Sequence, residues 1–315
     1  MKKIDYKVIL KSYGTVIAGI LITIVFAMLR PNSFATVGNF INISRQISLL
    51  VVIAIGATLI MSLEEFDLSV GAMASLGGVL AARMAVDGTP LIFAFIVPIF
   101  VGLLIGFVNG WIVTKFKVLS FIITLAMSTI LAGFTFWFTG GSTVFENIPK
   151  NFKYIGTANI LGLPLLTIIM VLLTVIFWFI MSHTSFGRKL YAIGGNEVAS
   201  EVSGIKVKKY KVLTFGLCSA LAAFTGVLMS SRLGSAHPTG GDGLFLQAYA
   251  AVFIGRTIFS EGVPNIWGTF AGAAILGILA NGLTILQVPT FMQDLITGFI
   301  IIAAVIFQKL GSDKN

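Results

Sequence analysis

The feature that most constrains this chain is a succession of apolar runs, most of them about as long as a bilayer's hydrocarbon core is thick. They lie at about 14–29, 47–63, 68–86, 91–113, 118–138, 161–182, 212–231, 246–255, 266–286 and 291–307. A core of roughly 30 Å takes about 20 apolar residues in helix. In lipid every backbone N–H and C=O must be satisfied within the segment, which leaves the helix as the conformation for such runs. The expected fold is therefore an all-α polytopic membrane protein of about ten transmembrane helices, forming one domain over 1–315. The run 246–255 is too brief for a full crossing and is expected to be a half-helix or to start earlier. A hydrophobic content of 57%, a charged content of 10% and a mean hydropathy of +1.00 lie outside the balance of a soluble domain.

Charge sets orientation. The net charge of +9 does not point to nucleic acid, because the Lys and Arg residues sit in short segments between apolar runs. Lys2, Lys3, Lys7 and Lys11 precede the first run and hold the amino terminus inside. With ten crossings, Lys115 and Lys117, the cations of 188–211, Arg256, Lys309 and Lys314 also fall inside, fifteen of the 21 basic residues in all. Both termini, 1–13 and 308–315, are then cytoplasmic. Arg30 and Pro31 follow the first run without a small-x-small pattern, so it is expected to stay as an uncleaved helix.

Several chemistries find no residues to perform them. Cys218 is the single cysteine and lies in an apolar run; His183 and His237 stand far apart without a ligand cluster. No HExxH, GxSxG or phosphate-loop pattern occurs. No catalytic residue, metal site or bound cofactor is expected, and a membrane enzyme is the weakest reading.

The longest polar interruption is 184–211, "TSFGRKLYAIGGNEVASEVSGIKVKKYK". Within it Asn196 suits an N-cap, Glu197 the positive end of the helix dipole, and Gly204 a C-terminal stop. A two-turn helix is marginal alone. Val198, Ala199, Val202 and Ile205 fall on one side, with Glu197, Ser200, Glu201 and Ser203 elsewhere. Two readings stand: a small docking knob, or a solvated loop held inside by its cations. "LIGFVNG" (104–110) and "LGILANG" (276–282) echo one another, each read as closing a helix, in opposite directions on the ten-helix count. That is the signature of an inverted repeat; coincident Asn-Gly turn chemistry is the other explanation. Two glycine-containing loops, 139–160 and 232–243, are expected outside.

Polar groups within the spans are hydroxyls and amides. Asn42, Gln46, Asp67, Ser69, Asn109, Thr124, Ser128 and Asn281 are the candidates for lining a translocation path, which would suit an uncharged polyol. Against this, hydroxyls often bond their own helix backbone, and Asp67 could cap its helix instead. The cluster Glu64, Glu65 and Asp67 sits at one helix end and not at mid-depth, which argues against an ion-coupled carrier.

"DLSVGAM" (67–73), "FIITLAMSTILAGFTFWFTGG" (121–141), "GRKLYAIGGNEVASEVSGIKVKKYK" (187–211) and "GTFAGAAILGILANGLTIL" (268–286) occur in this order. Through them the chain, from Gln46 to Phe307, resembles the permease subunit of ATP-binding-cassette importers of the ribose, monosaccharide and autoinducer-2 branch, alongside branched-chain amino acid relatives. The resemblance implies that Asn196, Glu197, Val198, Ala199, Glu201, Val202, Ser203 and Gly204 belong to a coupling helix seated in an ATPase subunit. It also implies a bacterial-type plasma membrane, a second permease chain, identical or homologous, and an extracytoplasmic binding protein delivering a neutral sugar. ATP and Mg would be used by the ATPase. Alternatives are a nucleoside or branched-chain amino acid permease of the same type, and a self-sufficient secondary transporter.

Overall fold

The computed structural model describes residues 6–257 and 262–312. Lys2, Lys3 and Lys314, which carry part of the orientation argument, lie outside the described residues. The chain forms α1 (Tyr6–Leu29), α2 (Pro31–Phe34), α3 (Val37–Met61), α4 (Val70–Val86), α5 (Leu91–Phe116) and α6 (Ser120–Thr139). A 3-10 turn (Lys150–Lys153), α7 (Tyr154–Thr157) and the two-residue strands β1 (Asn159–Ile160) and β2 (Leu163–Pro164) follow. Then come α8 (Leu165–His183), α9 (Ser185–Gly195), α10 (Glu197–Val202), α11 (Val207–Leu233), α12 (Asp242–Arg256), α13 (Ile266–Ile285) and α14 (Thr290–Ser312).

Every expected apolar run coincides with one of these helices, which makes this an all-α polytopic membrane protein. Among the described residues six helices are long and apolar enough to cross a membrane: α3, α5, α6, α8, α11 and α13. The helix of the shortest run, α12, starts at Asp242, earlier than its apolar stretch.

The helices are not equivalent. In α3 83% of the most apolar window is buried, and in α11 67%, against 17% in α6 and 22% in α5. The first pair is the core and the second faces outward, although α3, α6 and α11 read alike in hydropathy and only α5 reads higher.

Small residues bring the core together, as expected where lipid supplies no hydrophobic drive between helices. A Cβ placed on Gly106 of α5 would lie 2.2 Å from the Phe215 carbonyl oxygen of α11, and one on Gly226 of α11 would lie 1.8 Å from the Ala74 carbonyl oxygen of α4. The Asn-Gly echoes serve the same purpose. They do not close their helices: α5 continues to Phe116 and α13 to Ile285. Gly110 sits against Val212 of α11 and Gly282 against the ring of Phe26 on α1, so these glycines allow close crossing, not termination.

The two loops expected to be external are joined. Val144 and Ala236 exchange backbone hydrogen bonds, both 2.9 Å, and Phe152 is buried against Val79, Ala82 and Val227. The β1–β2 hairpin projects from this end, with Leu161 at φ 52° and 99% exposed at its tip.

Candidate functional site

The site begins with α10. Asn196 caps it, its Oδ1 accepting the Ala199 N–H at 2.9 Å, and Gly204 ends it in the left-handed conformation at φ 82°. Of its side chains Ser200 faces inward and is buried, while Val198 and Val202 are 72% and 85% exposed. A helix folded for its own stability would invert that pattern. Glu201, Ser203 and Gly204 share the exposed surface with Ala199 and Asn196.

One residue of α10 ties it inward. Glu197 Oε2 accepts from Lys211 Nζ at 2.8 Å, and the same ammonium donates to Glu65 Oε1 at 2.7 Å. Lys211 is buried at the start of α11, and Glu65 belongs to the turn between α3 and α4. Its neighbour Glu64, held at φ 56°, accepts from Arg256 Nη2 at the end of α12. Through adjacent carboxylates the α3–α4 turn is thus bonded to α11 and α12, and through Lys211 it is linked to α10. Lys189 of α9 donates to Tyr210 Oη at 2.9 Å and lies over that ring, closing the platform under α10.

Beyond Glu65 the chain re-enters the bundle without helical hydrogen bonds, and its buried backbone groups need partners from the surrounding protein. These are supplied residue by residue. The Phe66 N–H donates to Ser120 Oγ at 3.3 Å, the Asp67 N–H to Tyr249 Oη at 2.7 Å, and the Leu68 N–H to Thr124 Oγ1 at 3.0 Å. Asp67 Oδ1 accepts the Ser69 N–H at 2.9 Å and the Ser69 hydroxyl, and Asp67 Oδ2 accepts from Ser219 Oγ at 3.3 Å. Tyr249 Oη donates back to the Asp67 carbonyl, and Asn109 Nδ2 donates to Ser69 Oγ at 3.2 Å. Side chains of α5, α6, α11 and α12 therefore converge on one four-residue stretch.

This places the path candidates. Asp67, Ser69, Asn109 and Thr124 come together, each wholly buried: Thr124 and Asp67 accept from the backbone of 68–69, Asn109 Nδ2 holds Ser69 Oγ, and Asn109 Oδ1 is left buried without a hydrogen-bond partner. Asn42 and Gln46 are exposed on α3 and Ser128 is half-buried on α6. Asn281 is engaged in a reciprocal amide pair with Asn39, both hydrogen bonds 3.0 Å, joining α13 to α3. Sequence reasoning missed Ser120, Ser219 and Tyr249 as partners of the loop and Lys211 as the link to α10. The one available signal was a tyrosine inside an apolar run, since a buried phenol needs a partner. Among the described residues no group of His, Cys, Asp and Glu could hold a metal.

Residues 39–305 match the family described as the permease component of the branched-chain amino acid transport system. The chain is 38% identical to a ribose import permease protein of Haemophilus influenzae, over 95% of this chain and 93% of that one. It is 38% identical to the ribose import permease protein of Bacillus subtilis over 99% and 97% of the two chains, and 33% identical to a D-allose transport system permease protein of Escherichia coli over 99% and 95%. No solved structure matches. The motifs quoted above lie within the matched region, and with a bundle of apolar helices around a re-entrant loop they lead to one conclusion: the chain belongs to the family of branched-chain amino acid transport system permease components.

Proposed function

We propose that this chain is the membrane-spanning subunit of an ATP-binding-cassette importer for a small neutral sugar of the ribose kind. The substrate class is taken from the relatives, named for ribose and D-allose. In this reading α10 is the coupling helix, and a separate ATPase subunit binds and hydrolyses ATP with Mg while this chain holds no cofactor. A second permease chain completes the pathway, for which Asn42, Gln46 and Ser128 remain the lining candidates. A bacterial-type plasma membrane, both termini cytoplasmic, ten crossings and the inverted repeat complete the proposal.

The observation that carries it is the capped α10 with Val198 and Val202 turned outward. Burying each valine in a partner's cleft is worth about 1.5 kcal/mol or more. The Glu197–Lys211–Glu65 link gives displacement of α10 a route to the re-entrant loop. At the opposite loops, exposed Phe145, Tyr154 and Leu161 support docking of an extracytoplasmic binding protein.

Val198→Asp and Val202→Asp test this. Each should reduce ATP-driven ribose uptake in vesicles at least tenfold and release the ATPase subunit on purification, with the chain still inserted in the membrane. Unchanged uptake and unchanged ATPase retention by both variants would remove α10 from the coupling role.

A further inference from the structure

We infer that the groove between the polar ends of α5 and α11 binds an anionic phospholipid from the leaflet on the α10 side of the bundle. The two helices touch through Gly106, Gly110 and Gly216, where a Cβ would collide with the opposite helix. Alongside that contact lies a groove of about 670 Å³, which Phe107 and Val212 of the contact also line. Its walls are Phe107, Trp111 and Leu213, and its rim carries Lys115, Lys208 and Lys209.

Three features identify the ligand. The first is charge: among the described residues none of these lysines makes an ion pair, whereas Lys211 beside them makes two. The second is the aromatic rim. Lys115 Nζ lies 4.4 Å from the centroid of Trp111, an arrangement of tryptophan and cation that suits the level of lipid headgroups. The third is direction, because the apolar walls continue along two helices long and apolar enough to cross a membrane. A phosphodiester at the rim with an acyl chain along Phe107 and Leu213 meets both halves of the groove. A free phosphate would meet only the rim. Basic pockets between membrane helices bind acidic headgroups on this principle. The inference rests on the chain crossing a membrane and is independent of the coupling role of α10.

Native mass spectrometry of the full chain, with phosphatidylglycerol, phosphatidylcholine and glycerol phosphate as probes, tests it. Phosphatidylglycerol should be retained in preference to phosphatidylcholine, and glycerol phosphate should not be retained. The variant K115A/K208A/K209A should lose roughly a hundredfold in affinity for phosphatidylglycerol. Should that variant fail to fold, K208A/K209A, which alters two exposed side chains, should lose roughly thirtyfold. Equal retention of the two lipids, tight binding of glycerol phosphate, or undiminished affinity in the lysine variants would each overturn the proposal. So would loss of a co-purifying ATPase subunit from the lysine variant with phosphatidylglycerol still bound, which would make the groove a protein-docking surface.

Discussion

At the scale of the residue, the consequential positions are polar groups enclosed by the bundle. Lys211 is buried between Glu65 and Glu197, whose side chains are 17% and 51% exposed. Removing the cation leaves Glu65 largely desolvated and unpaired, so Lys211→Ala should cost about 3 kcal/mol, whereas Glu197→Gln, at a half-exposed site, should cost about 1 kcal/mol or less. Thermal unfolding in detergent checks the ranking, and equal shifts would mean that the bridge is solvated in the folded chain. Tyr249 is a second case. Its hydroxyl both accepts the Asp67 N–H and donates to the Asp67 carbonyl, so Tyr249→Phe leaves two buried backbone groups unmet, a loss of about 1–3 kcal/mol by the same assay. Residue types alone marked Asp67, Ser69, Asn109 and Thr124 as polar groups needing partners. That their partners are one another and the loop backbone depends on helices distant in sequence, which no local pattern encodes.

At the scale of the element, glycine decides which helices meet. Gly106→Ala and Gly226→Ala would each force a Cβ into the backbone of the facing helix, and overpacking of this kind costs about 1–3 kcal/mol. Gly133→Ala of α6, with nothing within 4 Å of the added atom, should be neutral or slightly stabilising, because alanine is the better helix former. Melting temperatures of the three variants give the comparison; a destabilised Gly133→Ala would contradict the outward placement of α6. Short-range chemistry was readable at this scale. The Asn196 cap and the Gly204 stop stand where sequence placed them, because both depend on neighbours within four residues. The Asn-Gly echoes misled, since the same residues serve a turn or a close crossing, and the difference lies in the helix opposite.

For the whole molecule, the proposed orientation puts α10 inside and the joined loops outside. In a Cys218→Ser background, Glu201→Cys should resist a membrane-impermeant maleimide on intact cells and react in inverted vesicles, and Tyr154→Cys should do the opposite. Labelling of both from the same side would overturn the count of crossings. What the sequence determined by itself was everything carried by local composition: the apolar runs, their helical state, the capped α10 and membership of a permease family. Only the tertiary structure decided that α3 and α11 form the centre while α6, as apolar as they are, and α5, more apolar still, face outward. It alone also showed that the polar groups of the spans fasten a re-entrant loop. The reason is physical: lipid and protein interior are alike in polarity, so hydropathy measures removal from water and is silent on which neighbour replaces it.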